Sequence, residues 1–165
     1  TYLGLKKIKS DNVLIIYTDT YYEKSFIKKI CKIESNNIVV PISLIWKKMW
    51  EIRKKKIKSD AEDIKIGHKN YIINIGKKIT NKLPKYQYMG VIYIPYGMLD
   101  KIKSHMKFCI KRQKKMHLTN FLDFIIKKKE KVKSFKNSKN WYEFDDYRDL
   151  INFNNYYEKF NNFNH

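Results

Sequence analysis

Five consecutive apolar residues, Val13-Leu14-Ile15-Ile16-Tyr17, follow the turn signal Asp11-Asn12 and stop at Thr18-Asp19-Thr20. The run is too short for a helix. With no polar position in it, it reads as a strand buried on both faces. From Tyr22 to Cys31 the apolar residues Phe26, Ile27 and Ile30 take helical spacing. Ile38-Val39-Val40-Pro41-Ile42 is then a second strand after Asn36-Asn37. Strand, helix and strand within roughly 30 residues is the βαβ pattern. It predicts an α/β fold with a mixed, mostly parallel sheet, helices on both faces, and Asp19 at the carboxyl end of a strand.

The rest of the chain continues the alternation. Residues 46–60 are rich in Trp and Lys and read as irregular or partly helical. Asp63 to Ile66 and Tyr71 to Ile75 flank Gly67-His68-Lys69-Asn70 and predict a hairpin. Tyr88 to Ile94 is a strand closed by Pro95. Helices are expected over 97–110 and 118–129; the second carries Leu118, Phe121, Leu122, Ile125 and Ile126 on one stripe, with Thr119 as an N-cap. Val132 to Phe135 and Trp141 to Phe144 are extended, and Tyr147 to Phe160 is a last amphipathic helix. The expected organisation is a single domain over 1–160 with a frayed tail at 161–165.

The length, 165 residues, suits one domain with a real core. No apolar run approaches a membrane span, and the start Thr1-Tyr2-Leu3-Gly4 has no signal-peptide layout, so a cytoplasmic location and no membrane partner are expected. Cys31 and Cys109 lack metal-ligand spacing and read as reduced thiols. The formal charge of +20 would ordinarily suggest nucleic acid. Here it comes from 33 Lys and only 3 Arg, in a chain rich in Asn, Ile and Tyr with Ala61 as its one alanine. Those are residues of A/T-rich codons. Nucleic-acid readers favour Arg for bidentate contacts, so no specific nucleic-acid partner is expected, although the charge would attract anionic substrates such as nucleotides.

Two acidic features carry chemistry. Asp19 follows a buried strand, where open α/β sheets place their ligands, and a carboxylate there suits Mg²⁺; the plainer role is a turn or helix cap. The second is Trp141-Tyr142-Glu143-Phe144-Asp145-Asp146-Tyr147-Arg148-Asp149-Leu150. On an extended segment Glu143 and Asp145 project from one face and could share a metal with Asp19. Asp146 reads as the N-cap of the last helix and Asp149 as a helix-start charge.

Taken in order, these stretches resemble the nucleotidyltransferase superfamily, in which a hydrophobic strand ends in Gly-Asp and Trp-x-Glu-x-Asp-x-x-x-Asp-Leu follows much later. Thr18 replaces the usual Gly; Trp141, Glu143, Asp145, Asp149 and Leu150 match every anchor of the second motif. Between them Trp46, Trp50, Arg53, Asp60-Ala61-Glu62, Ile75-Gly76-Lys77-Lys78 and Gln87-Tyr88-Met89-Gly90 follow the order of one branch, the domains found beside phosphoenolpyruvate phosphomutases. The resemblance spans residues 3–155.

It implies a Rossmann-like fold and a Mg²⁺-dependent transfer from a nucleoside triphosphate, CTP favoured, to a sugar phosphate, phosphocholine or other phosphorylated or phosphonylated small molecule. It also implies metal ligation by Asp19 and Asp145 as the catalytic carboxylates, with Glu143 nearby. Lys77 or Lys78 would contact the substrate phosphate, Asp60 and Glu62 would line the acceptor pocket, and Tyr88 and Gly90 would let the substrate approach a strand backbone. Trp46 and Trp50 would be pocket walls or core. The family's opening strand and Gly-rich, Arg- and Lys-bearing loop, which holds the triphosphate, has no counterpart here. The resemblance therefore implies an N-terminally truncated form or a fragment. The alternatives are a non-catalytic remnant of the fold and a basic nucleic-acid-binding module.

Overall fold

Val13–Ile16 forms strand β1, which hydrogen-bonds to a strand far along the chain, β7 (Val91–Ile94), antiparallel and in register Val13 with Ile94 through Ile16 with Val91. The structure, a computed structural model, describes residues 1–55, 61–80, 82–113 and 116–162, with the backbone alone described over 159–162. β3 (Ile38–Ser43) is buried at every position, as its unbroken apolar run requires. β7 and the two-residue β6 (Gln87–Tyr88) pair antiparallel along one edge of β3, and β8 (Val132–Asn137) pairs parallel along the other.

The α/β class is as expected, but the pairing is not mostly parallel. Because β7 is antiparallel to both β1 and β3, those two strands run in the same direction without touching. The βαβ start keeps its direction, and a reversed strand is inserted into its gap. Among the described residues, only β3 with β8 pairs parallel within this sheet.

Strand alternation sends side chains to two cores. Ile92 and Ile94 of β7 join Val40 and Ile42 of β3 in one. That core is covered by α1 (Tyr2–Lys7), α4 (Leu99–Arg112) and α5 (Leu118–Lys127), through residues such as Leu5, Ile102 and Leu122. Val91 faces the other core with Met89, covered by α2 (Lys24–Ile30) and α3 (Trp46–Arg53) through Phe26, Ile30, Trp46 and Trp50. Helices thus lie on both faces, as the sequence predicts. The apolar stripe of α5 supplies Phe121, Leu122 and Ile125 as buried residues.

Two smaller sheets flank the main one. β4 (Glu62–Ile66) and β5 (Ile72–Lys78) form the expected hairpin. β2 (Thr20–Tyr22) and β9 (Trp141–Glu143) form a short antiparallel ribbon. Neither β2 nor α1 was legible in the sequence: β2 is only three residues long and finds its partner over a hundred residues away.

Thr119 does not cap α5. His117 holds the N-cap position, and the buried Thr119 hydroxyl donates instead to Glu62 Oε1 at 3.1 Å. The last helix, α6 (Tyr147–Asn162), includes Asn161 and Asn162, the first residues of the expected tail; 163–165 lie outside the described residues. Among the described residues no helix is long and apolar enough to cross a membrane.

Candidate functional site

The β2–β9 ribbon brings the two acidic motifs together. Its register sets Thr20 opposite Glu143, and one step beyond it the Phe144 N–H donates to the Asp19 carbonyl at 2.8 Å. Asp19, Glu143 and Asp145 therefore gather at one end of the ribbon, although more than a hundred residues separate Asp19 from the other two in the chain. Asp19 is exposed.

Glu143 and Asp145 meet a buried arginine there. Arg53, at the end of α3, is 2% exposed and lies over the Trp50 ring at 4.7 Å. Its guanidinium reaches Glu143 Oε2 at 3.3 Å, Asp145 Oδ2, and both oxygens of Asp149. Lys55 Nζ adds contacts to Asp145 at 2.8 Å and to Asp149 at 3.0 Å. Asp149, 0% exposed, is thus a buried ion-pair partner and not the simple helix-start charge its position suggested. Burial alone would raise its carboxyl pKa; hydrogen bonds from Arg53, Lys55 and the Asp145 N–H outweigh that and hold it below the ordinary value. Asp146 fits its expected role, accepting from the Asp149 N–H at 3.1 Å as a cap of α6.

A group of tyrosines stands beside these acids. Tyr17 and Tyr88 meet edge to face at 5.9 Å, and the Tyr22 hydroxyl donates to the Met89 carbonyl at 2.7 Å. Burial, and then the charges of Glu62, Glu143 and Asp19, push the Tyr17 hydroxyl pKa up to about 12. Tyr88 is raised too, by burial first and then by neighbouring Tyr17 and Tyr22 ahead of the same glutamates. These hydroxyls are neutral at neutral pH, and that of Tyr88 is buried without a hydrogen-bond partner among the described residues. The Glu62 N–H donates to the Gln87 side-chain oxygen at 3.3 Å, next to Tyr88 in the chain, which brings the β4 end of the hairpin to this site as well.

The other expected site residues fall as follows. Gly90 adopts φ +72°, and the space a Cβ would fill is taken by the Tyr17 ring, whose Cδ2 would lie 2.7 Å away. The close approach Gly90 permits is thus made by Tyr17. Tyr88 is buried, 4% exposed. Lys77 and Lys78 are exposed at the end of β5, opposite Asp63 and Glu62. Asp60 lies outside the described residues. Trp46 and Trp50 are core, at 0% and 1% exposure, not pocket walls.

Sequence pattern assigned no role to Lys55 and no chemistry to Arg53. A signal for Arg53 existed: with 33 Lys against 3 Arg, a position that keeps Arg is one where a planar, multidentate donor is needed. A cleft of about 410 Å³ lined by Arg53, Lys54, Lys55, Asp146, Arg148 and Ile151 opens beside this network.

Among the described residues no cluster of three or more His, Cys, Asp or Glu side chains is gathered as a metal cage. Mg²⁺ needs less than a cage, since it keeps water and phosphate oxygens in most of its shell. Asp19 and Asp145, the latter with a side chain 45% exposed, are hard oxygen donors of the right kind.

No family model matches the chain. Over 156 residues the chain is 29% identical to the CTP:phosphoglutamine cytidylyltransferase of Campylobacter jejuni, covering 88% of this chain and 60% of that protein. The chain is thus similar in sequence to a nucleotidyltransferase. Solved nucleotidyltransferases share its fold. The inositol-1-phosphate CTP transferase of T. maritima superposes with a TM-score of 0.66 at 20% identity, over 90% of this chain and 55% of that one. The CTP:phosphocholine cytidylyltransferase of Streptococcus pneumoniae superposes with a TM-score of 0.62 at 14% identity, over 93% and 60%. The chain therefore spans between half and two thirds of the length of these nucleotidyltransferases.

Proposed function

We propose that this chain provides the metal- and acceptor-binding part of a nucleotidyltransferase, one that joins a nucleotide, CMP from CTP first among the candidates, to a phosphorylated or phosphonylated small molecule in the cytoplasm. The observation that carries the proposal is the backbone hydrogen bond from Phe144 to Asp19, which sets Asp19, Glu143 and Asp145 at one end of the β2–β9 ribbon. The relatives' names, three CTP-using transferases acting on phosphorylated acceptors, agree with that reading.

In the reaction an acceptor phosphate or phosphonate oxygen attacks the α-phosphorus of the triphosphate. A new P–O bond forms as the α–β bridge breaks and pyrophosphate leaves. Little covalent chemistry is asked of the protein, so positioning and charge neutralisation carry the rate. Asp19 and Asp145 would hold Mg²⁺, which when bound neutralises charge on the phosphates. Arg53, bonded to both, would hold Glu143 and Asp145 at the ribbon end, with Glu143 near the ion. Lys77 and Lys78 lie at the same end of the hairpin as Glu62 and would receive the acceptor phosphate. Glu62, tied to the α5 hydroxyl of Thr119, would line its pocket, and Asp60 would extend it. Tyr17 and the neighbouring Tyr88 and Gly90 would form its floor.

The test is pyrophosphate release from each of the four nucleoside triphosphates with a panel of phosphorylated and phosphonylated acceptors. It is run on the longest product of the gene. CTP-dependent release that is lost in Asp145→Asn and Asp19→Asn, and kept in the cap variant Asp146→Ala, is the expected result. Release that survives both of the first two changes refutes the assignment.

A further inference from the structure

Lys55 sits where a metal ion would have to compete with it. Its ammonium lies 2.8 Å from Asp145 Oδ2 and 3.0 Å from Asp149 Oδ2, with Asp146 Oδ2 at 3.6 Å. The partners differ in what they can give up. Arg53 has a side chain that is 0% exposed, bound to the equally buried Asp149 and covered by Trp50, so it is fixed. Lys55 has a side chain 22% exposed and reaches Asp145 from the solvent side, and Asp145 is itself 45% exposed. Lys55 also touches the buried Asp149, but that carboxylate keeps both of its Arg53 bonds when the lysine moves, whereas loss of Arg53 would leave it with the lysine alone.

We propose that Lys55 is a placeholder cation for Asp145. It shares Asp145 Oδ2 with Arg53 when no divalent ion is present, lowers the affinity of that carboxylate for the ion, and turns its released ammonium toward substrate phosphate oxygens when the ion binds. This rests on the reading of Asp145 as a metal-binding carboxylate. The physics is charge repulsion: a divalent ion arriving at the Asp145 carboxylate meets two positive charges already on Oδ2, and its repulsion with Lys55 is relieved when the lysine moves away. Arg53 meanwhile keeps the carboxylate pointing outward, so releasing Lys55 does not disorder the site.

The experiment is Mn²⁺ binding, followed by electron paramagnetic resonance of the free ion, with no nucleotide or acceptor present. The proteins are the wild-type chain, Lys55→Gln, Lys55→Arg, Lys54→Gln and Asp145→Asn. Lys54 is the exposed neighbour, with no ion pair to a carboxylate among the described residues. The expected result is Mn²⁺ binding about tenfold tighter in Lys55→Gln, little changed in Lys54→Gln and in the charge-preserving Lys55→Arg, and lost in Asp145→Asn. Thermal melts establish that each variant is folded, and Lys55→Arg reads the charge separately from any packing loss. Equal or weaker binding in Lys55→Gln overturns the placeholder role while leaving the metal site in place. Equal tightening in Lys54→Gln overturns it as well, since the gain would then belong to net charge. Binding that persists unchanged in Asp145→Asn, or is absent from every protein, refutes the metal assignment and the placeholder with it.

Discussion

Arg53 and Asp149, 96 residues apart in the chain, form a side-chain ion pair with neither side chain exposed, through Nε to Oδ1 at 3.2 Å and one terminal nitrogen to Oδ2 at 3.3 Å. The pair ties the end of α3 to the first turn of α6. From the same guanidinium, further bonds run outward to Glu143 and Asp145, so one buried group anchors the helices and aims the exposed carboxylates.

Removing Arg53 leaves Asp149 buried with only Lys55 to balance it. Arg53→Leu is expected to cost about 3–5 kcal/mol, the range for breaking one side of a buried pair. Urea denaturation followed by circular dichroism measures it. Arg53→Lys is expected to recover less than half of the loss, because a compact ammonium lacks the planar fork that bonds both oxygens of Asp149 while also reaching Glu143 and Asp145. A loss below about 1 kcal/mol for Arg53→Leu, the level of a surface pair, would show that the pair does not hold the helices together.

The depressed Asp149 carboxyl makes stability depend on acid in a defined direction. Its folded pKa lies below its ordinary value of 3.8, so as pH falls the unfolded chain takes up its proton first. The stability it contributes is complete above that ordinary value and is lost as pH drops through the lower, folded one. Glu130, lowered by Lys101 and His105 against the opposing effect of burial, acts in the same sense. Urea midpoints at pH 7, 5 and 3 are expected to hold between the first two and fall at the third. The fall should be shallower in Asp149→Asn, whose group no longer titrates. Identical acid slopes in the two proteins would remove Asp149 from the account.

Gly90 is expected to tolerate no side chain. Its φ of +72° strains an L residue, and an added Cβ would meet Tyr17 Cδ2 at 2.7 Å and Cγ at 2.8 Å. Gly90→Ala should cost about 2–4 kcal/mol from backbone strain and overpacking together. In a Tyr17→Ala background the steric part should disappear, leaving about 1–2 kcal/mol. A double-mutant cycle on thermal or urea unfolding gives the coupling. Additive costs would mean that the Tyr17 ring moves aside freely.

Local pattern alone makes part of this protein legible. The apolar run at 13–17 marks a strand and the 118–126 stripe a helix on a core, and both elements form; but β1 is the end strand of its sheet, buried at Val13 and exposed at Ile16, and not the strand buried on both faces that its run predicts. The α/β class follows from such elements, and the ordered acidic motifs located the carboxylates. Tertiary structure decided the rest, because it depends on which distant segment supplies a hydrogen bond or a charge. β7 came between β1 and β3 through backbone pairing that no local period encodes, turning an expected parallel neighbour into two antiparallel ones. Thr119, a cap by spacing, gave its hydroxyl to Glu62 once α5 packed on the hairpin. Asp149 read as a surface helix charge until α3 delivered Arg53 to it: burial and partner are properties of the packed chain, and they determine what a carboxylate does.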